Sequence, residues 1–154
     1  MSIERVFAAA LAASAICLAA ATPAAAQVRD AVYRGTLVCT PLPFLKGHLR
    51  AAMEVTVNGA TAKYVQPVIN AEKGTLIGTE EGRGTIEGSA IRLAGSWSGD
   101  RQSFEAVYNG TFVRRAARLT GTQIWTFEGK TYKRTCSGAV KRPFAVFLKR
   151  DGAR

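Results

Sequence analysis

The chain has one histidine and three cysteines in 154 residues, and each shortage removes a class of chemistry. His48 alone cannot assemble the usual His and Cys zinc sets, and it sits in a Pro- and Gly-bounded loop with no cysteine or carboxylate beside it. There is no C-x-x-C pair for a thiol redox centre and no G-x-S-x-G elbow for a serine nucleophile. Gly82-Arg83-Gly84 is too short for a phosphate loop and opens no helix. Carboxylates are also scarce, 11 against 21 Lys and Arg. Glu80 and Glu81 are adjacent, so on a strand they point to opposite faces and cannot flank one glycosidic bond. Glu54, Glu87 and Glu105 lie on separate segments whose meeting in space the sequence does not show. No catalytic residue, metal or cofactor is expected.

Long apolar runs are missing as well, except at the start. Met1–Arg5 is short and charged, Val6–Ala21 is apolar and alanine-rich, and Ala24-Ala25-Ala26 gives a small-residue exit. These are the parts of a secretory signal peptide over 1–26, with cleavage before Gln27. The run is shorter than the ~20 residues a spanning helix needs, so no transmembrane segment is expected after cleavage. The expected location is the periplasm or the medium. Cys17 leaves with the leader, and Cys39 and Cys136 remain as one possible pair. In an oxidising compartment they are expected to form a structural disulfide. The bond would close a loop of about 100 residues, which the chain-entropy model values at ~4.7 kcal/mol.

Residues 27–154 have the length of one domain, and their periodicity is two rather than 3.6. The clearest stretch is Ser103–Cys136. There Phe104, Ala106, Tyr108 and Phe112 share a face, as do Leu119, Gln123, Trp125 and Phe127, and Arg114-Arg115 and Glu128-Gly129 turn the chain. Asn109-Gly110 is a rival turn. Upstream, Ala31–Cys39 and Leu49–Val57 alternate around a proline-broken loop, Thr40–Gly47, and Asn58-Gly59 offers a type I′ turn into Ala60–Val68. Thr75–Glu87 and Ala90–Trp97 form a further hairpin, and Phe144–Leu148 is a short last strand able to help close the sheet. Three segments share an apolar-x-Gly-Thr form: Tyr33-Arg34-Gly35-Thr36, Tyr108-Asn109-Gly110-Thr111 and Leu119-Thr120-Gly121-Thr122. Glycine inside a strand weakens it unless the sheet bends or two backbones come close. The fold class expected is all-β, an antiparallel meander of about eight strands closing into a small barrel or barrel-like sandwich.

The net charge is +10, and nearly all of the basic excess falls after Phe112. Arg114, Arg115 and Arg118 head this basic third as a candidate anion-binding surface for lipopolysaccharide, anionic lipid head groups or acidic glycan. Nucleic acid is not an expected partner, because the leader removes the chain from it and no motif interleaves aromatics with the basic residues. If the sheet closes, Tyr33, Trp97, Tyr108, Gln123, Trp125, Tyr132 and Arg134 can line one lumen and take a small amphipathic ligand. The competing reading is that these side chains simply fill the barrel, with Arg134 needing a buried partner.

Through Tyr33-Arg34-Gly35 with Cys39, Gly78-Thr79-Glu80-Glu81-Gly82, and Leu119-Thr120-Gly121-Thr122-Gln123 leading to Trp125 and Cys136, the chain resembles small secreted β-domains of alpha-proteobacteria. In architecture it is similar to calycin-type barrels, the lipocalin and avidin kind. The resemblance implies a barrel and no particular activity. Gly95-Ser96-Trp97 looks like the lipocalin G-x-W, but that signature belongs near the first strand. A two-cysteine barrel also resembles the inhibitors of C-type lysozyme. Here Ser98-Gly99-Asp100-Arg101-Gln102 departs from their S-G-x-x-Y signature, and a basic chain repels a basic lysozyme. The expected function is a non-catalytic binding protein for a small amphipathic ligand or an anionic envelope component. The alternative is a protein-interaction or inhibitor module.

Overall fold

A computed structural model describes residues 28, 30–45, 47–70 and 73–143. The leader and the strand expected at Phe144–Leu148 lie outside the described residues. Eight strands follow in order: β1 Ala31–Cys39, β2 Leu49–Asn58, β3 Thr61–Ile69, β4 Leu76–Glu87, β5 Ala90–Ser98, β6 Gln102–Val113, β7 Ala116–Phe127 and β8 Lys130–Lys141. Each pairs antiparallel with the next, and β8 pairs with β1, so the meander is a closed barrel. β8 closes the barrel on β1, with Cys136 to Lys141 matching Cys39 to Arg34 residue by residue.

The alternation in the sequence maps onto inside and outside. Tyr33, Leu37, Met53, Val55, Tyr64, Leu93, Tyr108, Leu119 and Val140 point inward and are buried, while Arg, Lys, Glu and Thr take the outward positions. A membrane barrel has the opposite arrangement, with an apolar outer band. No helix among the described residues is long and apolar enough to cross a membrane. Cys39 and Cys136 lie directly opposite each other on β1 and β8 and form a disulfide across the closing seam. Such a bond belongs to an oxidising, non-cytoplasmic compartment.

The glycines of the repeated motif explain how the wall coils. A Cβ on Gly35 would overlap the Ala139 carbonyl, and one on Gly110 or Gly121 would overlap the Arg118 or Val107 carbonyl. Only glycine allows the backbones to come this close. One turn differs from expectation. Asn58 pairs with Thr61, so the turn residues are Gly59 and Ala60, and only Gly59 has positive φ (57°). The Asp30 carboxylate accepts from the Gly59 N–H at 2.7 Å, and the Thr61 hydroxyl donates to the Asn58 carbonyl at 2.8 Å. These two bonds hold the type II′ pattern in place of I′. Of the two rival turns, Arg114-Arg115 makes the β6–β7 hairpin, with Arg114 at φ 58°.

Candidate functional site

Three features stand out: a polar network inside the barrel, a crevice at one mouth, and a hydroxyl-rich outer wall beside a basic turn.

The network is centred on Glu80, which the β4 alternation places inward along with Gly78, Gly82 and Gly84. Its exposure is 0%. The Tyr64 hydroxyl donates to Oε1 at 2.5 Å, and the Tyr108 hydroxyl approaches both carboxylate oxygens at 3.3 and 3.4 Å. Gln123 bridges to the opposite charge. Its Nε2 donates to the Tyr108 hydroxyl at 2.7 Å and to Glu80 at 3.4 Å, and its Oε1 accepts from Trp125 Nε1 at 3.0 Å and Arg134 Nε at 2.7 Å. This fixes the amide orientation, since the reverse would set Nε2 against two donors. The Arg134 guanidinium also lies 4.9 Å from the centre of the Trp125 ring. Small residues make the space: a Cβ at Gly82 or Gly95 would overlap the Tyr64 ring or hydroxyl.

Burial sets the electrostatics. Desolvation pushes Glu80 up to about 7, against the opposing pull of the tyrosine hydrogen bonds and of Arg134. Desolvation also raises both tyrosines, with Glu80 adding to it, and lowers Arg134 to about 10, where it stays cationic at neutral pH. Gln66, level with Glu80 in the β3–β4 register, is 2% exposed and its Oε1 has no partner.

At the mouth, the Thr40–Gly47 loop folds back through a Leu42–Leu45 bridge and lays Phe44 over the opening. Phe44 stacks on Phe127 at 4.5 Å and meets Tyr132 and Trp125 edge-on at 5.0 and 6.1 Å. Beside it are two adjoining crevices of about 230 and 320 Å³, with an apolar wall that includes Ile77, Trp97 and Phe127 and a polar rim of Asn70, Arg101 and Gln102.

The seven residues expected to line one lumen therefore divide. Tyr108, Gln123, Trp125 and Arg134 join the network. Trp97 packs on Phe104 and Trp125 near the mouth, Tyr132 is half-buried there against Phe44, and Tyr33 sits against Phe112, 5.0 Å away, toward the other end. Arg134 finds its partner in Gln123. Glu80, Tyr64, Gln66 and Phe44 were not anticipated as members. The glycine-flanked inward alternation of β4 is the one signal that could have placed Glu80 inside.

On the outside, Arg114 and Arg118 are exposed, whereas Arg115 is half-buried and donates from Nη2 to the Pro143 carbonyl at 2.7 Å. Exposed Lys141 pairs with Ala116 just beyond that turn. Glu80 points inward and Glu81 outward, and Glu54 is engaged with Arg34 at 2.8 Å. No group of three or more His, Cys, Asp or Glu able to hold a metal occurs among the described residues. His48 is exposed at the rim of an outer groove of about 530 Å³. No protein-family model matches the chain, and no curated protein matches it, so the site is read from its own geometry.

Proposed function

We propose that the chain is a secreted or periplasmic, non-catalytic binding protein that takes an anionic component of the cell envelope on its outer wall. The observation that carries this reading is the β6–β7 turn, where Arg114 and Arg118 stand exposed next to Lys141 while Gln123 and Arg134 are engaged inside the barrel. An exposed cationic cluster on a chain of net charge +10 attracts polyanions and raises their local concentration. The amino-terminal leader and the seam disulfide favour a compartment where the available polyanions are envelope lipopolysaccharide and acidic glycans.

The test is binding of the purified chain to lipopolysaccharide micelles, comparing wild type with R114E/R118E/K141E. All three residues are exposed, so folding is preserved. A roughly tenfold or larger loss, and weakening of the wild-type interaction by salt, is the expected result. Equal, salt-insensitive binding by both proteins would remove the reading.

A second reading has its own observation. The Trp97-walled mouth crevices, with Arg101 and Gln102 on the rim, have the make-up of a site for a small amphipathic ligand. Native mass spectrometry of protein purified gently from its own envelope separates the two: a small copurifying mass lost on denaturation supports the mouth, and its absence supports the outer wall. A protein-interaction module working through a sheet edge has less to use, since all eight strands are paired on both sides.

A further inference from the structure

The repeated apolar-x-Gly-Thr motif turns its glycines inward and its polar residues outward, and the register lines those residues up across strands. Arg92 pairs with Asn109, Asn109 with Thr120, Thr120 with Ser137, Ser137 with Val38, and Val38 with Arg50. The row is a polar floor with an exposed arginine at each end. In the next row Val107 pairs with Thr122 and Thr122 with Thr135, whose backbone N–H donates to the Thr40 hydroxyl oxygen at 3.1 Å and leaves the Thr40 proton available. The middle of the first row, from Asn109 to Val38, and the second row line the groove of about 530 Å³, with the two arginines beyond its edges. Arg118 bounds it toward one end of the barrel and Lys133 toward the other, about 20 Å apart along the strands. Glu105 is the acid nearest that second end, across Ile124 from Lys133.

We infer that this wall is a binding site for an acidic polysaccharide strand. The floor of threonine, serine and asparagine hydrogen-bonds the sugar hydroxyls, and Arg50, Arg92, Arg118 and Lys133 hold the carboxylates or sulfates at its margin. This rests on the polyanion reading above and names its ligand class. The groove lining contains no Phe, Tyr or Trp for bases to stack on, only the His48 imidazole at its rim, which disfavours single-stranded nucleic acid. Its apolar side chains, Val38 and Val107, are short and flanked by Thr40, Asn109 and Thr122, and offer no wedge for a lipid bilayer.

The experiment uses the purified chain and two probes, an oligogalacturonate and inorganic polyphosphate, with the methyl-esterified oligogalacturonate as the uncharged control. T120V/T122V/T135V removes three floor hydroxyls while keeping β-branched residues in the strands. N109A/S137A removes the amide and the hydroxyl on either side of Thr120 in the first row. The inference expects wild type to bind the acidic oligosaccharide better than its ester, and each variant to lose about tenfold for the acid with polyphosphate affinity unchanged. If both variants bind the acidic oligosaccharide as wild type does, or if the ester binds equally well, the glycan site is refuted and the polyanion reading survives. If wild type binds neither polyanion, both fall.

Discussion

Replacing Glu80 by Gln tests whether burial or its partners controls the interior carboxyl. Desolvation holds Glu80 at about 7 in the folded chain, against an ordinary 4.5. Between those values the folded protein keeps a proton that the unfolded chain releases, so stability is fully present below about pH 4.5 and is lost as pH rises through 7. At 1.36 kcal/mol per unit, the gap is worth about 3 kcal/mol. Arg134 remains charged across this window, being lowered only to about 10. Glu80→Gln retains an oxygen that accepts from Tyr64 and Tyr108 but cannot titrate. Relative to wild type it should therefore gain about 3 kcal/mol on going from pH 4.5 to pH 8.

The assay is urea unfolding at constant ionic strength, followed by the fluorescence of the buried Trp97 and Trp125. Surface groups titrate identically in both proteins and cancel in the difference. A difference that stays level with pH refutes the argument. One that runs the other way shows that Arg134 and the tyrosine hydrogen bonds outweigh desolvation and hold Glu80 ionised.

The seam and the wall make two further predictions. C39A/C136A, which removes the bond spanning 97 residues, should lower stability by about 4 to 5 kcal/mol, measured by denaturant unfolding against oxidised wild type. A loss below 1 kcal/mol would show that β1–β8 pairing needs no fastening. Gly35→Ala places a methyl on the Ala139 carbonyl and should cost about 3 kcal/mol or more, whereas Gly74→Ala, where nothing is within 4 Å, should cost less despite its positive φ of 64°. Similar thermal midpoints for the two variants would contradict the close-approach account.

Local pattern carried the fold a long way. Strict alternation from Ser103 to Cys136 assigned the faces of β6, β7 and β8, and two cysteines left one disulfide to draw. What alternation assigns is a face, never a neighbour. The β1–β8 pairing joins opposite ends of the chain, and nothing local in Lys130–Lys141 says that its partner is Ala31–Cys39. Glu80 was hidden for the same reason, because Tyr64, Tyr108 and Gln123 reach it from β3, β6 and β7, and Arg134 on β8 joins it only through Gln123. Phe44 was hidden for another, since side chains of a proline-broken loop follow no period.

The repeated motif joins interior and exterior in a single cause. Wherever a glycine lets two strands close up, as at Gly110 against Arg118 or Gly121 against Val107, the residues on either side of it must face solvent. Those flanking residues are Asn109 and Thr111, and Thr120 and Thr122, so the coiling that shuts the barrel also aligns polar side chains on its outer wall. The interior supports the same wall from behind. Gln123, which links Arg134 to Glu80, lies next to Thr122 on β7 and points the other way, so network and floor share one rigid strand. A ligand gripped by that floor would meet a surface already ordered by folding, and the entropy of arranging its hydroxyls would not be charged against binding.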